Sequence, residues 1–172
     1  MGFNSKHIAA NSISQMVVDL LDGVDSLIEL GCGLGIWPNA FLENGVKDVT
    51  GVDGDYVQRD LMVLPEKHFE SYDLSQPLKK DRRYDLSSSL EVAEHLDESR
   101  AESFVEDLTD LAPVVLFSAA IPGQGGTHHV NEQWQDYWAD LFAARGYRAV
   151  DAIRPLVWNA PKLQQCYKQN TM

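Results

Sequence analysis

Apolar residues along this chain fall in short runs separated by glycine, proline and polar turns, and two spacings alternate. Ile13, Met16, Val17, Leu20 and Leu21 recur three and four apart and predict a helix over 8–21. Ser26-Leu27-Ile28-Glu29-Leu30 is an apolar run of strand length that stops at Gly31. Trp37-Pro38 opens a second helix, where proline's missing N–H is harmless, and Asn44-Gly45 closes it. Val49-Thr50-Gly51-Val52-Asp53 reads as a second strand, 69–74 as a third and 84–90 as a fourth, with a short helix possible within 55–64. Residues 113–119 are apolar on both faces, as in a buried parallel strand. Helices are predicted over 97–111, with Asp97 as N-cap, and over 133–145, closed by Gly146. Trp134, Trp138, Leu141 and Phe142 mark the core stripe of the latter, with Tyr137 off its centre. Stretches 147–153 and 164–168 read as two closing strands. Strands alternating with helices predict a doubly wound α/β sheet of seven strands, mostly parallel, with one antiparallel strand near the C-terminus.

Composition narrows the class. A chain of 172 residues fits one domain, divided here into an N-terminal helix (1–23), a core (24–152) and a C-terminal hairpin (153–172). Its formal net charge of −12 repels phosphate backbones, so nucleic acid is not expected as a partner. No run approaches the roughly 18 apolar residues of a membrane span, and no membrane partner is expected. Cys32 and Cys166 lie far apart, one of them inside a glycine-rich loop, which speaks against a disulfide and for a reducing, cytoplasmic setting.

The densest chemical signal follows the first strand. Gly31, Gly33 and Gly35 alternate with Cys32 and Leu34, and the acid Glu29 stands two residues ahead. Glycine lets a ligand lie against bare main chain, and the following helix offers free N–H groups at its start. Dinucleotide-binding loops read G-x-G-x-x-G, whereas here Ile36 fills the place of the third glycine. A pyrophosphate also disfavours a nearby carboxylate, while a cofactor carrying an ammonium and a sulfonium tolerates one.

This loop resembles the first motif of the class I S-adenosylmethionine-dependent methyltransferases. Asp53 at the end of the second strand, Phe69-Glu70-Ser71-Tyr72-Asp73-Leu74 and Ser89-Leu90-Glu91-Val92-Ala93-Glu94-His95 are similar to that family's later motifs, in order, over residues 24–152. The resemblance implies a Rossmann-like fold and S-adenosylmethionine as cofactor. It implies that the methionine amino group meets the carbonyl around Gly31 in the field of Glu29, and that Gly33 and Gly35 shape the loop. Asp53 would accept from the ribose hydroxyls and Asp73 from the adenine amino group, with Leu74 and Leu90 lining the site. Asp55 and Glu70 stand near enough in sequence to compete for the two acidic roles.

His128 and His129, in the loop after the fifth strand, are the candidates for a general base, since imidazole takes a proton near neutral pH. A metal reading would use His128, His129 and Glu132, but adjacent histidines diverge and no H-E-x-x-H spacing exists, so no metal is expected. The chain lacks the Asp/Asn-Pro-Pro-aromatic motif of base amino-methyltransferases and has no large insertion for docking a macromolecule. The expected activity is methyl transfer to an oxygen or nitrogen of a small metabolite. Two alternatives are a non-catalytic S-adenosylmethionine-binding module and, less favoured, a nicotinamide-dependent oxidoreductase. The sequence leaves the oligomeric state open.

Overall fold

Five β-strands carry the fold, and the central one, Ser26–Leu30, owes its place to a run of buried apolar side chains. The computed structural model describes residues 2–172, with side chains from Lys6 onward. The strands are β1 (Ser26–Leu30), β2 (Asp48–Asp53), β3 (Phe69–Ser71), β4 (Leu86–Leu90) and β5 (Val114–Ser118). All pair in parallel, in the spatial order β3-β2-β1-β4-β5. Alternate residues of β1 serve opposite layers. Leu27 joins the cluster under α1 (Gly2–Leu21) and α2 (Ile36–Glu43), with Ile13, Trp37, Phe41 and Val49. Ile28 and Leu30 join the cluster under α3 (Ala101–Leu111) and α4 (Gln135–Ala144), with Phe104, Leu108, Phe117 and Trp138.

β4 is unusual for a central strand because Ser87, Ser88 and Ser89 are all fully buried. Ser87 donates to the carbonyl of Leu108 at 2.9 Å, which ties the strand to α3. Asp97 accepts from the Ser99 N–H at 2.9 Å and caps the turn that leads into α3. From there Arg100 pairs with buried Asp107 and also donates to the carbonyls of Leu74 (3.2 Å) and Gln76 (3.0 Å). One ion pair thus anchors the segment after β3 to α3.

The C-terminal part departs from the expected hairpin, and the two extra strands do not form. Residues 147–153 have no ladder partner, and Val150 is 61% exposed. The stretch expected as a last strand is α6 (Gln165–Asn170), preceded by α5 (Arg154–Val157). The reason is periodicity: buried Tyr167 and Asn170 stand three apart and share a helical face, not a strand face. Tyr167 packs edge-on against Trp37 with ring centroids 5.0 Å apart. The sheet has five strands among the described residues, not seven, and no antiparallel strand. A single antiparallel pairing remains: Phe117 and Met172 exchange both backbone hydrogen bonds at 2.9 Å. Trp134 also departs from the core stripe. It is the extended N-cap residue of α4 and 55% exposed, while Trp138 and Phe142 are buried.

Candidate functional site

Parallel strands bring all their C-terminal ends to one edge, and the loops leaving those ends enclose a crevice of about 910 Å³. Gly31, Asp53, Tyr72, Asp73, Glu91 and His128 are among its lining residues.

Glu29 sits on β1 between Gly51 of β2 and Ser88 of β4. It is 1% exposed, and its Oε2 has no partner among the described residues. Burial, and after it the charge of Asp53, push its carboxyl well above the usual carboxylate range. A buried carboxyl oxygen without a hydrogen-bond partner is rare in a folded protein and leaves bonding capacity unused.

The glycine loop is held from below. The N–H groups of Gly31 and Cys32 both donate to the Val52 carbonyl, at 2.8 and 3.1 Å. Gly35, at φ +79°, is the N-cap of α2, and a Cβ there would stand 2.2 Å from the Leu64 Cβ, so packing requires glycine. Gly33 differs. Its φ is +53°, and a Cβ would meet nothing within 4 Å. The loop therefore leaves open space above Gly33 that no side chain fills.

Asp53 is buried, and both its oxygens are engaged. Oδ2 accepts from the Gly33 N–H and Oδ1 from the Gly54 N–H, each at 2.7 Å, and the Tyr56 hydroxyl also donates to Oδ1. Tyr56 is 81% exposed and lines the crevice, so the sequence reading missed a side chain that competes for the same carboxylate. Its spacing, three residues past the acid, was the available signal. Asp55 lines the crevice but pairs with Arg59 at 3.3 Å, and Glu70 is taken by Lys80. Asp73 lies past the end of β3 and accepts from the Ser75 N–H at 3.0 Å, and its bonds to Ser75 lower its pKa. Leu74 is buried and lines the crevice. Leu90 does not: it packs into the core under α1 and α2, because the pleat alternates, while Glu91 and Val92 face the opening.

Glu91 holds φ +58°, a left-handed conformation that side-chain-bearing residues rarely adopt. Hydrogen bonds compensate. Its N–H donates to Ser118, and its carboxylate accepts from Gln124 Nε2 (2.8 Å) and Asn170 Nδ2 (3.0 Å). Gln124 and Asn170 come from the loop after β5 and from α6, a convergence no local pattern announces.

The two histidines part company. His128, at φ +60°, is exposed and lines the crevice. His129 turns under the loop, where its Nδ1 lies 2.8 Å from Glu132 and its ring meets that of His95 edge-on. Glu94, behind the crevice wall, is buried, and its carboxyl is pushed up to about 7, first by burial and then by Glu91. Both cysteines are free, and no helix among the described residues is long and apolar enough to cross a membrane.

Comparison with known proteins places the fold. The methyltransferase domain family matches residues 6–154. None of the curated proteins matches the chain. Among solved structures, an O-methyltransferase family protein from Burkholderia thailandensis is similar at 14% identity over 84% of this chain and 55% of that one, with a TM-score of 0.63. Magnesium protoporphyrin IX methyltransferase from Synechocystis PCC 6803, solved with bound SAH, is similar at 18% identity over 87% of this chain and 80% of that one, with a TM-score of 0.59. Human N-acetylserotonin methyltransferase, solved with SAM, gives 14%, 85%, 46% and 0.57 in the same order. The chain spans about half the length of several of the solved structures it resembles.

Proposed function

From the premise that the chain belongs to the methyltransferase domain family, with the Rossmann-like fold of the class I S-adenosylmethionine-dependent enzymes, we propose that it moves a methyl group from S-adenosylmethionine to an oxygen or nitrogen of a small molecule. The observation that carries this reading is the crevice lined by Gly31, Asp53 and Asp73, whose glycine loop is tied to Asp53 through the Gly33 N–H and follows directly on the strand that carries buried Glu29. A cofactor with hydroxyls at one end and an ammonium at the other matches those groups. S-adenosylmethionine supplies an electrophilic methyl group on a sulfonium.

The chain's own residues do the rest. Asp53 accepts from the ribose hydroxyls, which requires the Tyr56 hydroxyl to leave Oδ1. Glu29 offsets the ammonium charge, and the carbonyl around Gly31 receives its N–H. Asp73 and Leu74 border the adenine, Asp73 as acceptor. His128 is the histidine that lines the crevice, and it takes the proton of a hydroxyl or protonated amine. His129, turned away, does not serve as that base. Glu91 and Val92 line the end where the acceptor enters.

Calorimetric titration with S-adenosylhomocysteine tests this. Wild type binds. Asp53→Ala loses on the order of 2–4 kcal/mol, the worth of two charge-assisted hydrogen bonds. Gly33→Val, whose branched side chain enters the open space, loses binding altogether while its unfolding transition persists. Unchanged affinity in both variants would put the cofactor elsewhere.

A further inference from the structure

Three side chains beside the crevice stand together, Glu94 buried, His129 half-buried and His95 exposed. Glu94 and His95 stand on the 3₁₀ turn Ala93–His95, just past β4, and His129 stands on the loop after β5. One ligand-capable atom of each lies within 4.8 Å of those of the other two. The rings of His95 and His129 meet edge-on with centroids 4.9 Å apart.

The protons on these rings follow from their partners. His129 Nδ1 lies 2.8 Å from a Glu132 carboxylate oxygen, and His95 Nδ1 lies 3.3 Å from the His128 carbonyl. Both partners are acceptors only, so each Nδ1 carries the hydrogen and each neutral ring keeps its lone pair on Nε2. Glu94 is 1% exposed, and its Oε2 has no partner among the described residues. Two imidazoles and a buried carboxyl oxygen without a hydrogen-bond partner thus stand together. A carboxylate behind one ring and a carbonyl behind the other give the outer-sphere support that fixes metal-binding imidazoles. The backbone adds to it: Glu132 also accepts from the N–H groups of Gly123 (2.8 Å) and Gly125 (3.0 Å), which locks the carboxylate that holds His129.

We propose that Glu94, His95 and His129 bind a divalent transition-metal ion, with Zn²⁺ as the ion the donors suit best. Two imidazoles and one carboxylate form a three-ligand set that leaves a coordination position open, whereas Mg²⁺ and Ca²⁺ prefer oxygen donors throughout. This trio differs from His128, His129 and Glu132, the set weighed from sequence, and it reverses the expectation of no metal. His95 lines the crevice, which sets the trio beside Glu91 and Val92. An ion there polarises a hydroxyl of the methyl acceptor and favours an oxygen nucleophile over a protonated amine. That use rests on the methyltransferase reading; the binding of the ion does not.

The test uses the full chain, stripped by chelator and free of cofactor. It is titrated with Zn²⁺ by calorimetry and with Co²⁺ by visible absorption. One equivalent binds. Glu94→Gln and His129→Ala each weaken binding tenfold or more, and Glu132→Gln, which leaves all three ligands in place, weakens it roughly 10-fold. His68→Ala, whose ring is held by the Val49 carbonyl, leaves the affinity unchanged. If a ligand variant loses its unfolding transition, Glu132→Gln decides. Absence of saturable uptake of both ions overturns the proposal, as does unchanged one-equivalent binding in Glu132→Gln and in a folded Glu94→Gln. S-adenosylhomocysteine is titrated into the same stripped protein. Zn²⁺ binding without cofactor binding supports the metal site and overturns the methyltransferase reading.

Discussion

Glu29 carries a structural cost beside the ammonium-facing role proposed for it. Its folded pKa lies above its unfolded value, so folding favours the neutral form. The stability this contributes is present below about pH 4.5 and is lost as pH rises through the folded pKa. Above that window the ionised group is a burden. Glu29→Gln should therefore raise the melting temperature of the cofactor-free protein at pH 8, with the gain shrinking toward pH 5, while weakening S-adenosylhomocysteine binding. Thermal unfolding across that range, with and without ligand, checks both signs. At the crevice mouth, His128→Ala should lower turnover of a hydroxyl acceptor by roughly 10²-fold with cofactor affinity nearly intact. Steady-state kinetics beside calorimetry separates the two effects, and full activity would leave alignment and exclusion of water as the mechanism.

At the level of elements, the site depends on how loops are tied to helices. Arg100 and Asp107 are 7% and 5% exposed in their side chains and hold the segment after β3, where Asp73 and Leu74 stand. Removing one partner leaves a buried charge. Arg100→Met should cost about 3–5 kcal/mol, and Arg100→Met with Asp107→Leu should recover much of it. Denaturant unfolding of both variants measures this. The reading from sequence was good for elements whose pattern is local. Leu27, Ile28 and Leu30 announce β1, Asn44-Gly45 ends α2, and Asp97 caps the turn into α3. It failed where the pattern was short. Tyr167 and Asn170, three apart, outweighed the strand reading of 164–168, and Trp134 fell one position outside α4.

For the whole molecule, the parallel order β3-β2-β1-β4-β5 gathers residues from five loops at one edge. A ligand that binds only the folded state stabilises it by about 2.7 kcal/mol at a hundred times its dissociation constant. S-adenosylhomocysteine should therefore raise the melting temperature in a concentration-dependent way, and NAD should not. A thermal-shift titration with both ligands distinguishes the methyltransferase reading from a nicotinamide-dependent one. The converse result would assign the glycine loop to a dinucleotide.

The sequence by itself determined the doubly wound α/β class and the first five strands. It also singled out Glu29, the glycine loop, Asp53 and Asp73, the groups of the site proposed above. These are local matters: a run of apolar residues, a turn that needs glycine, an acid at a strand end. Only the tertiary structure decided which groups meet. It turned Leu90 into the core and Glu91 toward the crevice, and set the Tyr56 hydroxyl on Asp53. It also separated His128 from His129 and brought the latter beside Glu94 and His95. Adjacent side chains diverge because the backbone turns between them. Residues more than thirty positions apart converge because parallel strands end at a common edge, and no spacing along the chain encodes that meeting.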